Sequence, residues 1–411
     1  MAMNAGAIKH PLLSPVRLNL RDGVSPDEAA VLAVLLNPAL HAARNQRGVA
    51  AAQVIQAGIL PNPQLTGGID YVIGGNSEGT MTGFGYGASW DVRALLTAMP
   101  NRTAAKELLK SVRLDVAWQE WQTALAGETG VWDLLALKFQ VAQARKIDRS
   151  FDENLSLVQK AEAAHAKTVL DVSAAEAASQ TAHATLLSLE QDFEQRRLAL
   201  NKNIGFPPDY RVGPQANLEL PSRVRVPSSA RLLAGLEERR LDLLALKRGY
   251  ESEDAKLRVA IIEQFPKISV GFNRANDTSN VQTIGPAVTI DLPIFDRNQG
   301  QVAVERATRQ KLFDEYTARV FEAHSAIASA AANIESLMLQ IEAAERALPA
   351  LQRLVSTYQD ALNQGNVDVL SYYTARTNLA QKQIDILKLK QQLALNRVAL
   401  EAAAAWHFSV R

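Results

Sequence analysis

A short alternating run that feeds a very long helical run, written twice, constrains this chain more than any other feature. The second copy spans Thr283 to Gly300, T-I-G-P-A-V-T-I-D-L-P-I-F-D-R-N-Q-G. Ile284, Val288, Ile290 and Leu292 face one way, Thr289 and Asp291 the other, the period-two pattern of a strand. Pro293 cannot donate to a ladder, and Asp296-Arg297-Asn298-Gln299-Gly300 breaks the extended run. No breaker follows before Pro349, which leaves a helical run of about 48 residues, roughly 70 Å long at 1.5 Å per residue. Helices of globular domains average about three turns, so little chain is left for a conventional core.

The same plan opens the chain. Ser25-Pro26-Asp27-Glu28 reads as a helix start: a cap hydroxyl, Pro at the first position, acids in the first turn. This helix is expected to run toward Leu60, bending at Asn37-Pro38, and to stop at Pro61-Asn62-Pro63. Leu65, Ile69, Tyr71 and Ile73 then oppose Thr66, Gly68 and Asp70. After a glycine-rich turn, Phe84, Tyr86, Ala88, Trp90 and Val92 oppose Gly83, Gly85, Gly87, Ser89, Asp91 and Arg93. Met99-Pro100-Asn101-Arg102 is read as the close of this hairpin. A helix is then expected from about Thr103 to His165, bending at Gly127 and Gly130, and another from Leu170 to Asn203.

Arg211 to Pro227, rich in proline and polar residues, reads as a linker. Ser228-Ser229 starts a helix expected to reach about Gln264. The strand of Ile268, Val270 and Phe272 and a polar loop from Asn273 to Asn280 precede the stretch described first. A break at Gly365-Asn366 and a last helix from Val369 to about Trp406 complete the chain. A shift of about 203 residues lays Leu40 on Leu243 and Pro63 on Pro266, and one of about 200 lays Leu170 on Leu370. The expected organisation is an extension over 1–24, a first repeat over 25–203 with a hairpin at 63–96, an equatorial linker over 204–227, and a second repeat over 228–411 with a hairpin at 266–293.

Composition narrows the functions. The 411 residues carry 44 basic and 43 acidic side chains, a balance that argues against a nucleic-acid partner. The absence of cysteine excludes a disulfide framework, a cysteine zinc site, a thiol nucleophile and a lipid-bearing N-terminal cysteine. Met1 to Asp22 lacks a secretory signal pattern, because Pro11 and Pro15 interrupt its only apolar run. The expectation is an intracellular chain or a mature or engineered start. There is no phosphate loop and no H-E-x-x-H, and the six histidines are scattered, so no catalytic, cofactor or metal site is expected and the chain does not read as an enzyme.

No window reaches the ~18 apolar residues of a spanning helix, but strands of about nine to thirteen residues match a tilted transmembrane β-strand. Four such strands cannot close, and membrane barrels start at about eight, so at least two chains must share one. A soluble sandwich hairpin, or a long coiled coil, would show parts of the same pattern. The expected fold is mainly α with a small β part: a long α-helical barrel plus a transmembrane β-barrel.

Ser25-Pro26-Asp27-Glu28-Ala29 with Asn37-Pro38, Gly58-Ile59-Leu60-Pro61-Asn62-Pro63, Asp291-Leu292-Pro293-Ile294-Phe295-Asp296-Arg297-Asn298-Gln299-Gly300 and Gly365-Asn366-Val367-Asp368-Val369-Leu370 together resemble the TolC-like outer-membrane factors, the outer membrane efflux protein family, especially members serving RND-type heavy-metal and drug pumps. The resemblance implies a homotrimer with a twelve-stranded barrel in the outer membrane of a Gram-negative bacterium and a helical tunnel in the periplasm. It implies a passive exit duct without cofactor, partnered by a periplasmic adaptor (membrane fusion) protein, an RND-type inner-membrane pump and outer-membrane lipid. Both helix reversals would lie at the periplasmic tip, with His165, Lys167, Asp171, Asp368, Tyr372, Tyr373 and Arg376 at the gate and Thr168, Val169, Gly365 and Asn366 as adaptor-contact turns. Each polar residue there also reads as a solvated turn residue or a helix cap. The chain departs from the family pattern in lacking a signal sequence, at Ala94 to Arg102, and at His165-Ala166-Lys167-Thr168, where a glycine is usual. A type I secretion conduit or a soluble helical scaffold are the alternatives.

Overall fold

The structure is a computed structural model that describes residues 18–75, 78–364 and 366–407. Its elements run α1 (Pro26–Leu36), α2 (Pro38–Ala57), β1 (Gln64–Asp70), β2 (Gly83–Asp91), α3 (Val92–Ala163), α4 (Val169–Ile204), α5 (Ser229–Leu233), α6 (Leu236–Arg239), α7 (Leu241–Ile262), β3 (Lys267–Asn276), β4 (Gln282–Asp291), α8 (Gln299–Asn363) and α9 (Val369–Ala404). The start at Ser25 is a full capping box, with Ser25 and Glu28 bonding each other's backbone N–H. The bend expected at Asn37-Pro38 is a break between two helices, since Pro38 begins α2.

The four strands form one antiparallel sheet in the order β1-β2-β3-β4. Register places Leu65, Ala88, Phe272 and Pro286 in one row, Trp90, Val270 and Val288 in another, and pairs Ile69 with Phe84 and Ile268 with Ile290, all on one face. The opposite face carries Thr66, Gly87, Asn273 and Gly285, then Gly68, Gly85, Ala275 and Thr283. The apolar face is bare: Leu65 is 81% and Val288 63% exposed. Tyr71 and Ile73, read as part of the first strand, lie beyond its end at Asp70, and β3 continues through Asn273 to Asn276 where a loop was expected. The loop proper is built by Asp277, whose carboxylate accepts from the N–H groups of Ser279 and Val281.

The long helices absorb prolines that read as breakers in the sequence. α3 begins at Val92, directly after β2, and takes Pro100 into its interior. The start signal is Asp91, whose carboxylate accepts from Ala94 N at 3.3 Å. A proline eight residues into a helix costs about 3 kcal/mol, small against a ladder of 72 residues and its packing. α8 likewise runs through Pro349 to Asn363. The helix expected from Ser228 to Gln264 instead comes in three pieces. Ser228 makes no side-chain cap, Gly235 turns left-handed at φ 64°, and Arg240 is extended between α6 and α7.

The chain divides into two compact units, one of Met1–Ala42, Ala117–Arg240 and Phe321–Arg411, the other of Ala43–Val116 and Leu241–Val320. The second unit holds the sheet, a small core of Leu257, Ala260 and Val302, and Ser252 donating to the buried carbonyl of Ala104. In the first unit α8 buries Ala323, Ile327, Ala330, Ile334, Leu337 and Ile341 against Leu393, Leu400 and Ala404 of α9. That alternating four-three spacing is the seam of a coiled coil. The segment after α4 is fastened to its helix, since Asn201 Nδ2 donates to Pro207 O and Tyr210 O, and Arg197 to Pro208 O and Tyr210 O.

Gly127 and Gly130, expected to bend α3, are instead points of close packing within the first unit. A Cβ on Gly127 would lie 2.7 Å from Ala29 O of α1, and one on Gly130 2.8 Å from Leu200 Cδ1 of α4. Only a bare backbone lets α1 approach α3 this closely at Gly127, whereas at Gly130 a methyl group would displace the tip of the Leu200 side chain.

Candidate functional site

The two helix reversals are built alike, at an offset of 200 residues. Ala166 N donates to Ala161 O at 2.8 Å, and Asn366 N to Ala361 O at 2.9 Å, the wide closing bond of a Schellman turn. At the first turn the left-handed position is taken by His165, φ 57°, without a glycine. Gly365, assigned to adaptor contact, lies outside the described residues. Asn366 Nδ2 donates to Gln364 Oε1 at 3.2 Å.

The helices leaving both turns are capped by the same two kinds of side chain in swapped order. Thr168 Oγ1 accepts from Asp171 N at 3.2 Å while Asp171 Oδ2 accepts from Thr168 N at 2.8 Å and Thr168 Oγ1 at 3.0 Å. At the second turn Asp368 is the cap. Its carboxylate accepts from Ser371 N and Ser371 Oγ, both at 2.8 Å. These bonds, the backbone N–H of Ser371 first, hold the Asp368 carboxyl below the usual aspartate range. Asp171 and Asp368 are therefore engaged as caps, and among the described residues neither forms an ion pair with Arg376.

Tyr372 and Tyr373 are 3% exposed and sit in a core with Phe151, Ala175 and Val369. The Tyr373 hydroxyl donates to Asn154 Oδ1, and burial pushes its phenol up to about 12 despite the Arg376 charge nearby. Arg376 stacks on Phe151, 4.6 Å from the ring centre, and donates to Ser150 O at 2.8 Å, to Ser150 Oγ and to Tyr372 OH at 3.1 Å. It thus pins α9 to α3. His165, Thr168 and Val169 are exposed and Lys167 half-buried.

Sequence reading missed two residues at these turns. Leu170 and Leu370, one position into each helix beyond Val169 and Val369, are 78% and 66% exposed. The signal was the repeat offset itself, which lays one on the other. It also missed that His407, one of the scattered histidines, bonds Glu401 and comes within 4.8 Å of Glu128.

Residues 232–405 match the family model of the outer membrane efflux proteins. The cation efflux system protein CusC of Escherichia coli strain K12 is 23% identical over 278 residues, covering 64% of this chain and 60% of that protein. The chain thus spans about three fifths of the length of the curated relatives it matches. A crystal structure of CusC superposes with a TM-score of 0.77 at 20% identity, covering 98% of this chain and 99% of that one. The outer membrane protein VceC from Vibrio cholerae gives 0.76 at 18% identity over 93% of this chain and 97% of its own. The outer membrane efflux protein model thus matches residues 232–405, and the fold of these channels is shared along nearly the whole chain.

Proposed function

We propose that the chain is the outer-membrane exit duct of a tripartite efflux system, a homotrimer whose sheets join into one twelve-stranded barrel and whose helices line a tunnel in the periplasm of a Gram-negative bacterium. One observation carries this reading: a four-stranded sheet, apolar on one face apart from Arg274 and the Asn276–Gln282 pair at one end, small or polar on the other, with β1 and β4 as its two edges. An apolar outer face suits lipid, a glycine-rich inner face suits a lumen, and open edges in a bilayer call for sister strands. Each chain then contributes one hairpin from each of two repeats, 25–203 and 228–411, joined by an equatorial linker over 204–227.

The gate in this reading lies at the helix reversals, at His165, Lys167, Asp171, Asp368, Tyr372, Tyr373 and Arg376. Support comes from Arg376, whose bonds to the carbonyl and hydroxyl of Ser150 must be exchanged for water before α9 can move away from α3. The adaptor meets Thr168, Val169, Gly365 and Asn366, to which the bare side chains of Leu170 and Leu370 add apolar contact. An RND-type pump in the inner membrane supplies the energy and selects the cargo, since the duct reading requires neither from this chain.

Planar-bilayer recording tests the proposal. The purified protein is expected to give discrete conductance steps, and Arg376→Ala to open more often than the native chain. Protein that inserts without conducting removes the duct. Opening unchanged in Arg376→Ala, Asp171→Ala and the double variant removes this gate alone.

A further inference from the structure

The duct reading leaves unused the most deeply buried charges of the first unit. Glu128 of α3 and Glu401 of α9 are 1% and 0% exposed, and both face the guanidinium of Arg397. Arg397 Nε donates to Glu401 Oε1 at 3.0 Å, and Nη2 lies 3.5 Å from Glu128 Oε1, which also accepts from Trp132 Nε1 at 3.3 Å. Two buried carboxylates against one guanidinium leave one negative charge to be balanced, and an unbalanced buried charge is a state that folding strongly disfavours.

The balancing group arrives from beyond α9. Ala405 turns left-handed at φ 47°, and Trp406 lies 5.5 Å and 5.2 Å from the guanidinium groups of Arg231 and Arg239. The chain thereby folds back and sets His407 Nδ1 3.1 Å from Glu401 Oε2 and Nε2 3.7 Å from Asp27 Oδ1, in the first turn of α1. We propose that residues 405–407 form a proton-dependent clasp, in which the imidazolium of His407 supplies the missing positive charge and ties the end of α9 to the start of α1.

Charge balance can be reached in one other way, with a proton on Glu128, and either way the folded cluster holds one more proton than its residues would in water. The charged groups facing the imidazole are Glu401 on α9, Asp27 on α1 and Glu128 on α3, with Arg397 behind the carboxylates. The bond to Glu401 raises the His407 pKa against a burial that lowers it. Burial, then the Glu401 charge, pushes Glu128 up to about 7. Both shifts are upward, so the stability they contribute is complete on the acid side and is lost as pH rises through neutrality. An exposed histidine with no partner would contribute no such slope.

Hydrogen exchange on the full-length protein in detergent tests the clasp, read on peptides covering 399–407 and 25–33 and corrected for the chemical exchange rate. Between about pH 5.5 and about pH 8.5, protection of both is expected to fall about tenfold or more, one unit of linked pKa shift being a factor of ten. His407→Gln, which keeps a donor but no charge, should lower the protection of both peptides at about pH 5.5 and flatten the profile, leaving only the part of the slope that a proton on Glu128 supplies. His407→Arg should hold them at the high level at every pH. Equal protection at the two pH values in the native chain, or a native-like slope in His407→Gln, overturns the proposal. The native profile alone decides if a variant fails to assemble, and neither outcome depends on the protein conducting.

Discussion

At the scale of the residue, glycine and its absence have opposite meanings at two places. His165 holds the left-handed position of the first reversal, where an L side chain costs about 1–2 kcal/mol that glycine would not. His165→Gly should therefore raise the thermal midpoint, by about 0.5–1 kcal/mol per chain after allowing for the freer unfolded state. Gly127 sits in ordinary helical backbone, yet an added methyl group would press on Ala29 O. Gly127→Ala should lower the midpoint, by about 1–3 kcal/mol per chain, because two helix backbones must part. Calorimetry on the purified variants checks both, and equal signs would refute the argument. The sequence made the departure at His165 visible, since that turn lacks the expected glycine. It could not separate a bend at Gly127 from a close approach, because local pattern is the same for both and the difference lies in Ala29, about a hundred positions away.

At the scale of the element, starts were more legible than stops. Ser25, Thr168 and Asp368 all cap where a cap was readable or close to it, because capping is a contact over three residues. Pro100 misled as the close of the hairpin, which put the start of α3 too late, and Pro349 as the next breaker after Gly300, since a proline's local cost is outweighed by packing along a long helix that no window of sequence contains. The tyrosines of the second turn were legible as residues of interest but not as core, for their burial depends on α3 and α4. The two swapped caps predict different acid behaviour. The bonds from Ser371 hold Asp368 below the usual aspartate value, so its capping is complete above about pH 4 and is lost as pH falls through the depressed value. Asp368→Asn keeps an acceptor without a titrating proton, and its turn should stay formed at neutral pH and show no acid loosening. Hydrogen exchange over residues 368–374 reads the difference, and an acid transition that persists in the variant would assign it to another group. Thr168→Ala removes a neutral cap and should cost the first turn about 1 kcal/mol at any pH.

At the scale of the whole molecule, the argument is about edges. A sheet of four strands ending in β1 and β4 leaves two rows of backbone donors and acceptors, which a bilayer offers nothing to satisfy. Pairing β4 of one chain with β1 of the next satisfies both rows only if the ring closes, and three chains make twelve strands, above the minimum of about eight for a membrane barrel. An arrangement that failed to close would continue as a filament. The native chain has no cysteine, so introduced thiols report on this pairing without background. Gly68 on β1 and Gly285 on β4 share the small face, and a Cβ at either meets nothing within 4 Å in its own chain. Oxidising the protein that carries Gly68→Cys with Gly285→Cys, or with Thr283→Cys for a shifted register, should give covalent dimers and trimers on a denaturing gel and nothing larger. Either cysteine alone should leave monomers. A ladder beyond three would mean open growth, and monomers from every register would mean that these two edges do not meet.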